Sequence, residues 1–325
     1  MKKNIALIAG GDSKEREVSL LSAMEVEKNL DREKYNVYKI ILEGNLWYYE
    51  QGNEKVFVDK NDFSLNFPEG KVLFDGVFII IHGTPGENGL LQGYLEMLNI
   101  PFASCSSLVS AITFDKAVCN SVVREFNCVK VAKNVSFYKN HILDLDTITK
   151  ELNFPLFVKP SQGGSSIGMS KVFNKQDLEK AIQNAFMVDD KIIIEEFIKG
   201  RELTCGVLLC QNKIISFPIT EIISKNEFFD YDAKYKGLSN EVTPAQVSDS
   251  IKEKVQKTAE IIYKNLNCQG VCRIDFILEE KSEELYFLEI NTIPGQSEMS
   301  IVPQQVRSKN WTTQQLYSKM LDEIL

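Results

Sequence analysis

The sequence predicts an α/β chain that turns α+β in its C-terminal half, and three observations predict it. Strand-like and helix-like runs alternate over the first hundred residues, the pattern of a parallel sheet covered on both faces. From Arg201 the β-forming runs follow one another as hairpins. The chain has 325 residues, 44% hydrophobic and 25% charged, an ordinary globular composition with room for two or three domains. Three domains are expected, over residues 1–102, 103–194 and 195–325.

Residues 4–9 form a short apolar run after a basic end and lead straight into a polar loop. The run is too short for a membrane span or a cleaved leader, so it reads as a first buried strand. A helix over 17–30, a strand over 36–42, a continuous apolar strand over 76–81 and a helix over 89–98 follow. Ligands of such sheets gather beyond the carboxyl ends of the strands. Two unusual loops lie there, Gly10-Gly11-Asp12-Ser13-Lys14-Glu15-Arg16-Glu17 and His82-Gly83-Thr84-Pro85-Gly86-Glu87-Asn88-Gly89.

One helix is expected over 107–125, with Asp115-Lys116 in its middle. Then come a strand over 154–159, a glycine-serine loop over 161–168, a further strand, a helix over 177–186 and a strand over 191–198. Hairpin strands over 203–210 and 213–223 are followed by a helix over 248–266. The polar and aromatic stretch 226–245 has no clean period, and loops of that length inside a domain are usually lids or disordered.

A net charge of −8 argues against a nucleic-acid or anionic-membrane partner. Seven cysteines, an odd number scattered through apolar runs, suit reduced thiols in the cytoplasm better than a disulfide framework. Cys268 and Cys272 are four apart, but no second pair or histidine lies near them in the sequence to complete a zinc site. They read as small buried hydrophobes.

The final hairpin carries the sharpest chemistry. Alternation puts Arg273 and Asp275 on one face and Ile274 and Phe276 on the other; in the next run it puts Glu289 and Asn291 opposite Leu288 and Ile290. A turn centred on Ser282 sets Asp275 across from Glu289 and Arg273 across from Asn291, with facing side chains about 5 Å apart. Carboxylates that close repel unless a cation lies between them, and oxygen ligands suit Mg²⁺. An isolated hairpin of this kind reads more readily as one with a solvated polar face, and the rest of the chain has to decide.

Lys159-Pro160-Ser161-Gln162-Gly163-Gly164-Ser165-Ser166-Ile167-Gly168 lets N–H groups and hydroxyls approach phosphate oxygens, with Lys159 adding charge. The strand ending at Glu195-Glu196-Phe197-Ile198 and reaching Glu202 offers an apolar slot with acceptors at its edge. Phe228-Phe229-Asp230-Tyr231-Asp232-Ala233-Lys234-Tyr235 is too aromatic to be a merely solvated loop, so it folds over a ligand or packs on its own domain.

Taken in order, Glu15-Arg16-Glu17-Val18-Ser19, His82-Gly83 with Gly86-Glu87-Asn88-Gly89, Lys159 with Gly164-Ser165-Ser166, Tyr231 to Tyr235, Arg273-Ile274-Asp275 and Glu289 to Gly295 resemble the D-alanine–D-alanine ligases of the ATP-grasp superfamily from end to end. The resemblance implies a three-domain ATP-grasp fold with an N-terminal parallel-sheet domain. It implies a cytoplasmic homodimer that joins two D-alanines for peptidoglycan synthesis, using ATP and two Mg²⁺ ions, with Mn²⁺ as a substitute.

It further implies roles residue by residue. Lys116, Lys159, Ser165 and Lys234 face the phosphates; Glu195, Glu196 and Ile198 form the adenine hinge, and Glu202 meets the ribose. Asp275, Glu289 and Asn291 are the metal ligands. Glu15, Val18 and His82 hold the first D-alanine, while Arg273, Gly295, Ser300 and Ile301 form the second-substrate and oxyanion region. Glu15, Ser165 and Tyr235 tie the lid shut, and Tyr235 resembles the dipeptide-forming class rather than the D-lactate or D-serine ligases. A non-catalytic ATP-binding module of the same fold should lack a metal ligand or phosphate lysine, and none is missing. The departures are Asn88 where Asp is common, Gln162-Gly163 after Ser161, and Gln296-Ser297-Glu298-Met299 after Gly295.

Overall fold

The structure, a computed structural model, describes residues 1–141, 143–164, 167–224 and 239–325. The sheet nearest the N-terminus is built on β1 (Lys3–Gly10), β2 (Tyr35–Glu43) and β7 (Gly76–Ile79), parallel, with β1 in the centre. Residues 5–10 of β1 are all buried, which is why its apolar run does not alternate. Ser19 of helix α1 (Arg16–Asn29) accepts the Gly10 N–H at 2.9 Å and donates to the Ile80 carbonyl at 2.6 Å. That buried hydroxyl fixes the ends of β1 and β7 together, below the two loops singled out above.

The sheet is parallel only in this centre. Four short strands, β3 (Leu46–Gln51), β4 (Glu54–Asp59), β5 (Ser64–Phe67) and β6 (Gly70–Val72), extend it antiparallel beyond β2. The sequence reading assigns none of them. Aromatic rings on them stack edge-on, Tyr38 with Tyr49 at 5.5 Å and Trp47 with Tyr94 of α2 (Leu90–Met97) at 5.3 Å.

The single helix expected over 107–125 is two, α3 (Ser107–Phe114) and α4 (Lys116–Glu125). Asp115 leaves helical geometry, and its carboxylate accepts the Val118 N–H at 3.1 Å, the N-cap of a new helix. Lys116 therefore opens α4. Val109, Cys119 and Val123 of these helices share a core with the third sheet rather than the second.

After β8 (Lys130–Val131), the second sheet runs β11 (Ser170–Val172), β10 (Leu156–Pro160), β12 (Lys191–Glu196), β9 (Asn134–Tyr138), antiparallel throughout. Helices α5 (Leu145–Glu151) and α6 (Lys175–Phe186) supply Ile148, Leu178 and Ile182 to its core.

The third sheet runs β16 (Ser239–Val242), β15 (Thr220–Ser224), β13 (Gly200–Cys210), β17 (Val271–Glu279), β18 (Leu285–Asn291), β8, with β14 (Lys213–Ser216) paired to β13 and α7 (Asp249–Asn265) packed against it. Arg273 pairs with Asn291 and Asp275 with Glu289, the register the turn implied. Beyond Asp275 the register shifts: Phe276 pairs with Phe287, so Leu288 is a bulge residue. Leu288 consequently joins Glu289 on a cavity wall, where simple alternation sends it to the core face with Ile290.

Helices α8 (Ile301–Ser308) and α9 (Thr313–Asp322) carry the chain back to its beginning. Val302, Val306, Leu316, Tyr317 and Leu321 sit in the core of the first sheet. This return brings the 293–301 loop against His82. Among the described residues no helix is long and apolar enough to cross a membrane.

Candidate active site

Two cavities meet between the sheets. The larger, about 600 Å³, is lined from the second and third sheets. The smaller, about 200 Å³, is lined by the start of α1, the His82 loop and the start of α8. Lys116, Gly163, Gly164, Arg273 and Glu289 line both. Two cations, two glycines and a carboxylate thus form the shared wall.

The larger cavity has an apolar side made of Phe157, Met169, Phe197, Ile277 and Leu288. The Phe157 and Phe197 rings meet edge-on at 5.6 Å, and the Lys171 ammonium lies 3.9 Å from the Phe197 ring centre. Lys116, Lys159, Glu195, Glu196, Ile198 and Glu202, the described residues among those expected at ATP, all line it. Lys159 Nζ donates to Glu195 Oε1 at 2.6 Å, a buried pair on the adjacent strands β10 and β12. Glu196 is committed to structure, since its Oε1 accepts from the backbone and side-chain nitrogens of Asn153, both at 2.8 Å.

Asp115 organises the elements around the glycine-serine loop. Its carboxylate accepts from Ser161 Oγ at 2.6 Å and from Lys191 Nζ at 2.9 and 3.1 Å. The Lys116 N–H donates to the Ser161 carbonyl at 2.8 Å, and Lys116 Nζ donates to the Gly163 carbonyl at 2.7 Å. Burial would raise the Asp115 carboxyl, but the Ser161 and Lys191 hydrogen bonds outweigh it and hold it below the usual carboxylate range. The glycine-serine loop is thereby anchored to the first turn of α4.

Asp275 accepts from Arg273 Nε at 2.9 Å, from Arg273 Nη2 at 2.7 Å, and from the Thr204 hydroxyl. Burial would lower the Arg273 pKa, but the surrounding Asp275, Glu289 and Glu202 carboxylates raise it instead, so it stays a cation. Glu289 stands 3.7 Å from Lys116 Nζ, and Asn291 Oδ1 accepts the Ile293 N–H at 3.0 Å. The donors of Asp275, Glu289 and Asn291 are all oxygen and carry two negative charges on one rung, which fits a hard divalent cation.

The smaller cavity is lined by every residue expected at the amino-acid end: Glu15, Val18, His82, Gly295, Ser300 and Ile301, together with Arg273. Gly164 lies against Glu15, where a Cβ would stand 3.0 and 3.2 Å from the two carboxylate oxygens. Glycine is what lets the loop cover Glu15 without pushing it aside. His82 Nδ1 lies 2.9 Å from the Ile293 carbonyl. A carbonyl only accepts, so Nδ1 carries the proton and Nε2 faces Ser22 Oγ at 3.4 Å as an acceptor. Ser22 Oγ in turn accepts the Gln296 N–H at 3.2 Å. Burial lowers the His82 pKa, against the pull of Glu15 and the Ile293 carbonyl, so the ring is neutral.

Glu87 also lines this cavity and accepts the Gly83 N–H at 2.6 Å. Burial, with Glu15 next and Glu289 adding, pushes its carboxyl up to about 8 against the Gly83 N–H and Arg273. Glu241 of β16 faces the same space and is raised by burial, while its Oε2 accepts from Gln304 at 2.7 Å. Ser22, Asp115, Glu241 and Gln296 are site residues that sequence reasoning missed. Asp115 had a signal, an acid immediately before a lysine in an otherwise apolar helix. Ser22 and Gln296 had none, because their meeting depends on the return of the C-terminal helices.

Ser165, Lys234 and Tyr235 lie outside the described residues, as do Ser166, the aromatic run 228–235 and most of the stretch 226–245. Cys268 and Cys272 are buried, as expected, but a third sulfur stands with them. Cys105, 163 residues before Cys268 in sequence, brings its sulfur into a buried cluster with Cys268 and Cys272.

Comparison with known proteins finds relatives along nearly the whole chain. The family described as "D-ala D-ala ligase N-terminus" matches residues 4–105, and "D-ala D-ala ligase C-terminus" matches residues 123–322. A D-alanine–D-alanine ligase of Bacteroides fragilis is 43% identical over 309 residues, 95% of each chain, and one of Azobacteroides pseudotrichonymphae is 42% identical over 325 residues, 99% of this chain and 100% of that one. Among solved structures, the VanG D-Ala:D-Ser ligase from Enterococcus faecalis superposes with a TM-score of 0.89 at 33% identity, covering 99% of both chains. The D-alanyl-alanine synthetase A from Vibrio cholerae gives 0.89 at 27% identity, covering 99% of this chain and 98% of its own.

Proposed function

The chain belongs to the D-alanine–D-alanine ligase family, of ATP-grasp fold, and from that premise we propose how its two cavities divide the reaction. The protein is an ADP-forming ligase that joins two D-alanines into D-alanyl-D-alanine for the cell wall, using ATP and a divalent metal.

The larger cavity takes ATP. The adenine lies in the slot between Phe157, Phe197 and Leu288, along the edge formed by Glu195, Glu196 and Ile198, with Glu202 at the ribose hydroxyls. Lys116, Lys159 and the glycine-serine loop meet the phosphates, and Ser165 and Lys234 complete that grip. The smaller cavity takes D-alanine, with Glu15 and Val18 at its ammonium end, neutral His82 beside it and Gly295, Ser300 and Ile301 on the far wall. The observation that carries this reading is the wall common to both cavities, since a phosphoryl group must pass there from ATP to the first D-alanine.

A carboxylate is a poor electrophile until it is phosphorylated. An oxygen of the first D-alanine attacks the terminal phosphorus, ADP leaves, and D-alanyl phosphate results. The amine of the second D-alanine attacks the acyl carbon, and phosphate departs with that oxygen. Arg273, lining both cavities, stabilises the charge that develops at the acyl oxygen. Asp275, Glu289 and Asn291 would hold two magnesium ions, or manganese in their place, with Glu289 shared; bound there, the metal supplies positive charge against the phosphate oxygens.

The acyl phosphate has to be kept from water, and we assign that task to the 226–245 stretch with Tyr235, Ser165 and Glu15, as the resemblance implies. We keep three domains divided at residues 102 and 195 as part of this proposal, although β8 pairs in the third sheet, α3 and α4 pack in its core, and α8 and α9 pack in the core of the first. The same reading makes the protein a cytoplasmic homodimer. The test is release of phosphate and D-alanyl-D-alanine from ATP, Mg²⁺ and D-alanine, with D-lactate and D-serine as competitors. Phosphate release with no dipeptide, or a mixed product in preference to it, would contradict the assignment.

A further inference from the structure

We propose that Cys105, Cys268 and Cys272 form a closed structural site for a zinc-class divalent d¹⁰ ion, separate from the magnesium ligands. The three Sγ atoms lie within 4.8 Å of one another, and all three residues are buried. Cys105 Sγ stands 3.5 Å from Cys272 Sγ, and the Gln269 carbonyl oxygen lies 3.3 Å from Cys105 Sγ and 4.0 Å from Cys272 Sγ. A tetrahedral zinc ion with metal–sulfur bonds of about 2.3 Å and a metal–oxygen bond of about 2.1 Å has sulfur–sulfur edges of about 3.8 Å and sulfur–oxygen edges of about 3.6 Å. The Cys105–Cys272 sulfur edge and the two edges to the Gln269 oxygen lie within about 0.4 Å of those values, and the Cys268 sulfur lies within 4.8 Å of both other sulfurs, so a side-chain rotation that draws Cys268 in would complete a tetrahedron of three sulfurs and the Gln269 carbonyl.

Local chemistry points the same way. The Gln269 N–H is directed at Cys105 Sγ at 3.4 Å, a donor that favours the thiolate over the thiol. Gly270, at φ +64°, curls the Cys268–Cys272 loop back on itself, and a Cβ there would meet the Ala103 carbonyl oxygen at 2.8 Å. Charge selects the ion. Three thiolates and a divalent ion leave one net negative charge in a buried site, whereas a monovalent ion would leave two at greater cost. Thiolate sulfur selects against magnesium. Binding breaks three S–H bonds, releases three protons to solvent and forms three metal–sulfur bonds, with no change of oxidation state. The site would join the chain just after the first sheet, at Cys105, to the first residues of β17, one residue before Arg273.

The test is titration of the reduced, metal-stripped full-length protein with CdCl₂ in the presence of millimolar Mg²⁺. The expected result is one equivalent of cadmium bound, with thiolate-to-metal charge-transfer absorption, proton release and a raised Tm. Cys105→Ala should weaken binding by more than the roughly hundredfold that outer-shell partners are worth, and Cys210→Ala and Cys128→Ala should leave it unchanged. Each variant is checked for folding by circular dichroism, and the wild-type stoichiometry stands independently of them. Absence of a charge-transfer band in the folded wild type would overturn the proposal. So would a band that survives Cys105→Ala in a folded variant.

Discussion

Arg273 and Asp275 sit two residues apart on one face of β17 and are joined by two guanidinium nitrogens, at 2.9 and 2.7 Å. Arg273 stands on the wall shared by both cavities and Asp275 lines the larger one, directly across from Asn291 and Glu289 respectively. In this structure Arg273 is the counter-ion of the carboxylate assigned to the metal. On the proposed reading, one strand face carries both the cation for the acyl oxygen and an anion for the divalent metal.

Asp275→Asn keeps the shape of the side chain and removes its charge. We expect a folded protein whose kcat falls by about two to three orders of magnitude, the scale for losing one aligned electrostatic contact to a transition state. Steady-state kinetics at saturating ATP and D-alanine with varied Mg²⁺ measure it; near-normal turnover at limiting Mg²⁺ would remove the metal role.

Lys159 and Glu195 test structure against function. Lys159→Met leaves a buried carboxylate without its partner, at a cost of about 3–5 kcal/mol. The double variant Lys159→Met/Glu195→Gln should regain most of that stability in denaturant melts while ATP turnover stays low. Recovery of turnover along with stability would make the lysine merely structural.

Gly164→Ala places a methyl group against the Glu15 carboxylate. We expect the KM for D-alanine to rise roughly several-fold and by more than that for ATP, since the Glu15 oxygens must give way to a Cβ at 3.0 and 3.2 Å, and small misplacements are costly at a reacting site. Equal effects on both substrates would place the glycine's role elsewhere.

Ser22→Ala removes the hydroxyl that links His82 Nε2 to the Gln296 N–H. A net hydrogen bond of about 1 kcal/mol corresponds to roughly a fivefold rise in the KM for D-alanine. A KM for D-alanine within the error of wild type would show that His82 does not need this support.

Glu87 has a pKa raised from 4.5 to about 8 in the folded, ligand-free protein. Between those two values the folded state binds more protons than the unfolded one, so stability falls as pH rises through that window. Tm measured from pH 5 to 8.5 should therefore fall more steeply for wild type than for Glu87→Gln. Parallel curves would show that the carboxyl is not held protonated.

The legible parts of this molecule were those whose information is local. The β17–β18 register followed from alternation and one turn, because a two-residue period leaves few choices once the turn is placed. The bulge at Leu288 was not legible, since an extra residue leaves no mark in an apolar run. The break at Asp115 hides inside a stretch that is helical on both sides. The described residues expected at the site from their motifs all line the two cavities, whereas Ser22, Gln296 and Cys105 make contacts more than 150 residues away in sequence. The Ser22–Gln296 contact is set by packing of α8 and α9 on the first sheet and the Cys105–Cys272 contact by packing in the core of the third, and no local pattern encodes either.

The central claim, ligation through D-alanyl phosphate, has a direct isotopic test. Turnover of D-alanine labelled with ¹⁸O in both carboxylate oxygens, with unlabelled ATP and Mg²⁺, should give phosphate carrying one ¹⁸O per dipeptide formed, because the attacking oxygen leaves with the phosphorus. Dipeptide accompanied by unlabelled phosphate would contradict the account.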